Sequence, residues 1–241
     1  MNPKLRFLLL QVRNPGDPMI ESEIDSFART LGCDKARMRR FDLLAAAPTP
    51  HQLQSHDVAL LGGSGHYSAA GEGPWLERIL DALRDIHARR VPMFASCWGF
   101  QAMARAMGGR VVHDLSRAEL GTRPLRLTEH GLADPIFAPL GEEFHGQMGH
   151  EDRVAELPPD TTLLASSDRV ENQAYRFDGR PIYCTQFHPE LDRSDLLARV
   201  RTYPKYIERI AQLPPERFNE LLYDATETGQ LLVRFVKQFV G

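Results

Sequence analysis

A single cysteine stands between an apolar run and a helical pattern in the segment Ala95 to Gln101, which reads A-S-C-W-G-F-Q. The apolar residues before Cys97 predict a strand, and the spacing of Phe100 and Met103 after it predicts a helix. At a strand-to-helix turn, the unpaired N–H groups and positive dipole end of the helix favour a thiolate. The segment predicts a nucleophile, although free cysteines are also common core residues.

A histidine and a glutamate end a second apolar stretch, Tyr183 to Glu190, which reads Y-C-T-Q-F-H-P-E. Thiol catalysis needs a base within reach of the sulfur and a third group that orients the base. Pro189 restricts the backbone and predicts that His188 and Glu190 lie on one side of the strand end. An H-x-E pair alone is unspecific, but together the two segments predict a catalytic triad of Cys97, His188 and Glu190.

These segments resemble the class I glutamine amidotransferase family, whose members use a Cys-His-Glu triad. A third segment, Leu61 to Ser68, reads L-G-G-S-G-H-Y-S and resembles the family's G-G-P-x-S oxyanion loop, with Ser64 in the place of the proline. By this resemblance, the backbone N–H groups of Gly63 and Trp98 are expected to bind the developing oxyanion.

Two further motifs extend the resemblance to substrate binding. Gln101 matches the glutamine that closes the family's G-x-C-x-G-x-Q elbow, and Met148 to Val154, M-G-H-E-D-R-V, resembles the M-S-H-G-D-K-V segment of the GMP synthetase amidotransferase domain. The resemblance implies that Gln101, His150 and Asp152 contact the substrate. Glu151 replaces a glycine of that segment, so the loop is expected to differ locally if the glycine requires a positive φ.

Strands alternate with helical patterns along the chain, which predicts an α/β fold. The apolar run Arg6 to Val12 is suited to a strand that is buried on both faces. We expect a doubly wound, mostly parallel sheet with helices on both faces, flavodoxin-like, with a small antiparallel extension between residues 110 and 180. Ligands of such sheets bind beyond the carboxyl ends of the strands. Gly63, Cys97 and His188 follow predicted strands and are therefore expected at one edge.

The chain is interpreted as a single amidotransferase-like domain over residues 1–241. Its core covers about residues 1–190, and extra C-terminal helices form an extension over residues 191–241, for which the family offers no explanation. The last helical pattern carries a broad apolar stripe over residues 231–240. Such a stripe predicts packing on the sheet, with a homodimer surface as the alternative.

The composition excludes several classes of protein. A chain of 241 residues with 42% hydrophobic content can bury a full core, and a net charge of −3 argues against a nucleic-acid partner. The apolar runs are too short for a membrane span. Three widely separated cysteines favour a reducing, cytoplasmic compartment over a disulfide framework. His145, His150, His188 and Glu190 lack the close pairing of zinc motifs, so we expect neither metal nor cofactor.

The resemblance implies an enzyme that hydrolyses the side-chain amide of glutamine through a Cys97 thioester and releases ammonia and glutamate. The sequence lacks an S-G-G-x-D-S-type pyrophosphatase loop, so an ammonia-accepting synthetase is expected on another polypeptide. Alternatives are a stand-alone γ-glutamyl peptidase or hydrolase, a thiol hydrolase of the DJ-1/PfpI type, and a non-catalytic regulatory module. The complete triad argues against the last, and the H-P-E ending favours the amidotransferase over the DJ-1/PfpI type.

Overall fold

A computed structural model describes residues 4–211 and 217–241 of the chain. Its strands, in chain order, are β1 (Phe7–Gln11), β2 (Met38–Asp42), β3 (Val58–Leu61), β4 (Met93–Ser96), β5 (Arg110–His113), β6 (Glu119–Leu127), β7 (Glu143–His150), β8 (Asp152–Glu156), β9 (Thr161–Ser166), β10 (Ala174–Phe177) and β11 (Ile182–Thr185). Its α-helices are α1 (Met19–Leu31), α2 (Pro50–Gln54), α3 (Pro74–Ala88), α4 (Trp98–Ala106), α5 (Glu129–Ala133), α6 (Arg193–Thr202) and α7 (Gly229–Phe239).

Nine strands form the central sheet, in the order β2-β1-β3-β4-β11-β10-β9-β6-β7. Strands β2, β1, β3, β4 and β11 are parallel to their neighbours within this group. The sheet then continues with antiparallel pairs through β10, β9, β6 and β7, while β5 and β8 form a separate antiparallel pair. This arrangement confirms the predicted α/β sheet with an antiparallel extension, and the extension contains four strands.

The alternation of side chains along β1 explains why both sheet faces are covered. Phe7 and Leu9 belong to the hydrophobic cluster shared with α1 and α7, whereas Leu8 and Leu10 belong to the cluster shared with α3 and α4. Successive side chains of a strand point to opposite faces, so an unbroken apolar run requires a cover on each side. The run predicted from the sequence is therefore a doubly covered strand.

Two helix boundaries follow from single residues. Gly32 ends α1 with a φ of 60°, a left-handed conformation that glycine adopts without a Cβ clash. Pro74 is the first residue of α3, where its missing N–H leaves no hydrogen bond unmade. Both boundaries were predicted from the sequence. Among the described helices, none has the length and apolar character required to cross a lipid bilayer.

The final helix, α7, packs its apolar stripe inside the molecule. Leu231, Leu232, Phe235 and Val236 are buried in the same cluster as α1. The Phe235 ring lies 5.6 Å from that of Phe94, centroid to centroid, in an edge-on geometry. The stripe therefore completes one face of the sheet, as the amphipathic pattern predicts, and a homodimer stays a prediction.

Phe235→Ala should lower the free energy of unfolding by about 3–5 kcal/mol, because it removes a fully buried ring and leaves a cavity beside Phe94. Gln238→Ala, an exposed change on the same helix, is the matched control and should change stability little. Urea unfolding of both variants checks the prediction. Equal stability of the two variants would contradict the role of α7 as a cover of the sheet.

Candidate active site

Cys97 occupies a strained position between β4 and α4. Its backbone has a φ of 53° and a ψ of −105°, a conformation that residues other than glycine rarely adopt. The Cys97 N–H donates to the Thr185 carbonyl at 2.8 Å, and the Cys97 carbonyl accepts from the Gln101 N–H at 3.2 Å. Backbone strain of this kind clusters at functional sites and is typical of a nucleophile elbow.

His188 follows β11 and is paired with Glu190. The ring Nδ1 lies 2.7 Å from Glu190 Oε1, and both side chains are buried. The His188 N–H donates to the Gln147 carbonyl at 2.9 Å, which fixes the backbone. Because Nδ1 is engaged by the carboxylate, Nε2 is the ring nitrogen left for the sulfur of Cys97.

The protonation of this pair follows from its surroundings. Burial lowers the pKa of His188, but the negative charges of Glu190 and Cys97 outweigh burial and raise the pKa to about 9. Burial opposes ionisation of Glu190, but the charge of His188 and their hydrogen bond lower the pKa of that carboxyl. Near neutral pH, His188 therefore carries a proton that it could donate to a leaving group.

The loop after β3 lies directly against this pair. A Cβ atom on Gly63 would be 2.9 Å from His188 Cε1 and 3.6 Å from Cys97 Cβ. The Gly99 N–H donates to the Gly62 carbonyl at 3.2 Å and ties the loop to α4. Trp98 is the first residue of α4, so its N–H has no partner within the helix. The two predicted oxyanion donors, Gly63 and Trp98, thus both adjoin Cys97.

Ser64, which stands where the family has proline, holds the loop by hydrogen bonds. Its hydroxyl donates to the Val12 carbonyl at 2.8 Å and accepts from the Tyr67 N–H at 3.3 Å. The Tyr67 hydroxyl donates to Asn14 Oδ1 at 2.7 Å. Side-chain hydrogen bonds to the segment after β1 therefore anchor the loop without a proline ring.

Gln101 and Asp152 lie at the site, but internal partners engage their polar groups. Gln101 Nε2 donates to the Asp152 carbonyl at 2.8 Å and to Gln186 Oε1 at 3.1 Å. The Asp152 carboxylate accepts from Ser68 Oγ at 2.5 Å and lies 2.9 Å from His113 Nδ1. These contacts join α4, β8 and the loop after β3, and the substrate contacts of both residues stay predictions.

His150 is likewise held from two sides. Its Nε2 lies 3.2 Å from Glu119 Oε2, and its Nδ1 lies 3.0 Å from the Asp152 carbonyl oxygen. The neighbouring Gly149 carbonyl is 3.7 Å from the Cys97 sulfur, which places this segment beside the nucleophile. Glu151 is not among the residues with positive φ, so its replacement of a glycine requires no left-handed backbone.

A cavity of about 490 Å³ opens in front of Cys97. This volume falls in the range of small-molecule sites. The cavity is lined on one side by Trp98, Gln101, His150 and Asp152. Its other side includes three residues that follow or end the C-terminal helix α6: Tyr203, Tyr206 and Arg209. Sequence reasoning missed these three residues, since they form no chemical motif.

A buried ion pair beneath the loop was also missed. Arg13 Nη2 and Nε lie 3.0 and 3.1 Å from the two carboxylate oxygens of Glu23, and Arg13 Nη2 also donates to the Gly63 carbonyl at 3.1 Å. A sequence signal existed for this pair, because Glu23 shares the apolar face of α1 with Ile20 and Phe27 at helical spacing. Among the described residues, no group of three His, Cys, Asp or Glu side chains is placed to hold a metal ion.

The family model for glutamine amidotransferase class-I matches residues 24–196. The chain belongs to this family. The matched region contains Cys97, His188 and Glu190, together with the oxyanion loop, and the match confirms the resemblance carried by the sequence motifs.

Among relatives, one subunit of a glutamine-hydrolyzing GMP synthase from Methanopyrus kandleri is 36% identical over 42% of this chain and 52% of its own. Gamma-glutamyl peptidase 3 from Arabidopsis thaliana is 25% identical over 76% of this chain and 72% of its own. The chain spans only about a quarter of the length of two bacterial GMP synthases that also match it.

Among solved structures, a glutamine amidotransferase from Thermotoga maritima superimposes with a TM-score of 0.73. The superposition covers 97% of this chain and 96% of that chain, with 18% identity. At this identity the similarity concerns the fold, and it agrees with the flavodoxin-like sheet described above.

The stability that His188 contributes should depend on pH. Its pKa of about 9 in the folded chain exceeds the ordinary value of 6.5, so protonation stabilises the fold fully below pH 6.5 and loses this effect as pH rises through about 9. The difference in unfolding free energy between wild type and His188→Gln should therefore fall by about 3 kcal/mol across that interval.

Urea unfolding at a series of pH values checks this expectation. Glu190→Gln lacks the carboxylate that raises the pKa of His188, so the same His188→Gln comparison made in that background should show a weaker pH dependence. A difference that does not vary with pH would contradict the protonated His188 inferred from the geometry.

Proposed function

We propose that this chain is a cysteine-dependent enzyme that hydrolyses the side-chain amide of glutamine. The observation that carries the proposal is the juxtaposition of a strained cysteine, Cys97, with the buried pair of His188 and Glu190. Thiol-dependent amide hydrolysis requires these three groups in this relation. Membership of the class I glutamine amidotransferase family supports glutamine as the source of the amide.

In the proposed acylation step, the Cys97 thiolate attacks the amide carbon of the substrate side chain. The carbonyl oxygen becomes an oxyanion, which the N–H groups of Gly63 and Trp98 stabilise. His188, protonated near neutral pH, transfers its proton to the departing nitrogen. The C–N bond breaks, ammonia leaves, and a γ-glutamyl thioester remains on the sulfur.

In the proposed deacylation step, neutral His188 removes a proton from water, which attacks the thioester carbon. The C–S bond breaks, glutamate leaves and the Cys97 thiolate is restored beside the protonated imidazole. Glu190 keeps Nδ1 as the donor nitrogen throughout and compensates the positive charge that forms on the ring.

The ammonia is proposed to serve a synthetase on a separate polypeptide. This idea draws support from the similarity to a protein named as one subunit of a glutamine-hydrolyzing GMP synthase. Gln101, His150 and Asp152 are proposed to shape the glutamine side of the cavity, with Gln101 and Asp152 acting through the contacts that hold them together.

A second candidate function is that of a self-contained γ-glutamyl peptidase or hydrolase. The similarity to gamma-glutamyl peptidase 3 extends over most of both chains, and the cavity in front of Cys97 has the volume of a small-molecule site. The chemistry at Cys97 would be the same, and an amine or amino acid would leave in place of ammonia. A non-catalytic module is disfavoured, because it would have no use for a strained cysteine beside a buried His–Glu pair.

Comparison of glutamine with γ-glutamyl dipeptides as substrates for the purified chain separates the two candidates. We expect hydrolysis of glutamine to equal amounts of ammonia and glutamate, slow in isolation and faster with a synthetase partner. Cys97→Ser protein measures the uncatalysed background. Turnover of a γ-glutamyl dipeptide on the order of one per second or faster, with glutamine left unchanged, would replace the amidotransferase by the peptidase.

Cys97→Ser should abolish turnover of whichever substrate is active, because a serine hydroxyl is a far weaker nucleophile than a thiolate at neutral pH. Cys33→Ser is the matched control, since Cys33 lies half-buried after α1 and away from the cavity. Its turnover should stay close to that of wild type. Retention of activity in Cys97→Ser would exclude the thioester mechanism.

A further inference from the structure

Arg199, in the C-terminal helix α6, lies on the ring of His188. Its Nη1 is 3.3 Å from His188 Nδ1 and 3.4 Å from Nε2. An atom at nearly equal distances from both ring nitrogens cannot point along the in-plane direction of either, so the guanidinium lies over the ring face. The contact therefore restricts the tilt of the imidazole, while Nδ1 keeps its hydrogen bond to Glu190.

Glu23 approaches the same guanidinium from the other side. Its Oε1 is 3.7 Å from Arg199 Nη2, and the carboxylate is fully buried, with 11% of the Arg199 side chain exposed. Glu23 also binds Arg13, which holds the Gly63 carbonyl of the oxyanion loop. A Cβ atom on Gly62 would overlap this carboxylate, so only glycine permits the arrangement.

The contacts of Arg199 do not satisfy its hydrogen-bonding groups. Among the described residues, Nε and Nη2 of Arg199 are buried without a hydrogen-bond partner. A buried charge with incomplete partners costs stability. Such a cost is expected where the charge serves a functional site, and Arg199 lines the narrow space that it shares with Cys97 and His188.

We propose that Arg199 is a positioning residue for His188: its guanidinium, drawn toward Glu23, holds the imidazole in the orientation that joins Glu190 to Cys97. Through Glu23 and Arg13, the same buried cluster also positions the Gly63 loop. The proposal rests on the proposed acid and base role of His188. It gives the C-terminal segment, for which the family motifs have no role, a part in the reaction.

Three groups face His188 with charge: Glu190 from its own segment, Cys97 from the elbow and Arg199 from α6. Burial lowers the pKa of His188, Glu190 and Cys97 raise it, and the positive charge of Arg199 lowers it. Loss of the Arg199 charge should therefore leave His188 with a pKa even higher than about 9. The ring would then release its proton to the leaving group less readily.

The test compares Arg199→Met, which removes the charge, with Arg199→Lys, which keeps the charge but not the planar group. In Arg199→Met, the NMR titration midpoint of His188 should move to higher pH, and kcat should fall on the order of tenfold with a smaller change in KM. In Arg199→Lys, the midpoint should stay near that of wild type and kcat should lie between the two. The His188 signal is identified by its absence in His188→Gln.

Arg201→Met is the matched control, because it removes the same charge from an exposed position on the same helix. Its midpoint and kcat should equal those of wild type. A folded Arg199→Met protein with an unchanged His188 midpoint would overturn the proposal. If Arg199→Met does not fold, Arg199→Lys decides, and a kcat equal to that of wild type would overturn the proposal. The titration needs no substrate, so it stays readable even if the proposed glutamine hydrolysis fails.

Discussion

The strained backbone of Cys97 is the constraint around which the molecule is built. A non-glycine residue with a φ of 53° costs on the order of 1–3 kcal/mol, which the surrounding structure must supply. The supply comes from the centre of the sheet: β4 lies between β3 and β11, and the Cys97 N–H continues the ladder to Thr185. The Gly62 carbonyl, bonded to Gly99, holds the helix side of the turn.

The same strand order explains how distant segments meet. Strands β3, β4 and β11 are parallel neighbours, so the loops that follow them leave the sheet at one edge. Gly63, Cys97 and His188 each follow one of these strands. Convergence of the oxyanion loop, the nucleophile and the base is therefore a property of sheet topology, in agreement with the general placement of ligands in open α/β sheets.

Burial then sets the chemistry at this edge. In a site with little water, the attraction between Glu190 and His188 is stronger than at the surface, and it exceeds the effect of burial on the imidazole. The segment after α6 contributes to this exclusion of water through Tyr203 and Tyr206, which line the cavity. Burial also raises the pKa of Tyr206, so its hydroxyl stays neutral beside the cysteine.

One buried carboxylate connects elements that share no strand pairing. Glu23, on α1, binds Arg13 after β1 and approaches Arg199 on α6. Two guanidinium groups around one carboxylate hold three segments in fixed relation, because none of these charges can move without losing a partner in a medium of low dielectric constant. The C-terminal segment is by this means attached to the chemical site as well as to the hydrophobic core.

The sequence by itself determined the features that depend on local physics. Alternating periodicities specified the α/β fold, Gly32 and Pro74 specified helix ends, and the residue types around Cys97 specified an elbow. The pairing of His188 with Glu190 was also predictable, since the two residues are separated by a single proline. Each of these signals lies within one or two turns of chain, over which backbone geometry and helix dipoles act.

Only the tertiary structure decided which distant polar groups meet. The meeting of Arg13, Glu23 and Arg199 depends on how α1 and α6 pack, and no periodicity records that contact. Likewise, the internal partners of Gln101 and Asp152 lie on other elements, so a motif match predicted their place and not their contacts. Long-range pairing is chosen by the packing of whole elements, because a buried charge takes whichever opposite charge the fold brings within reach.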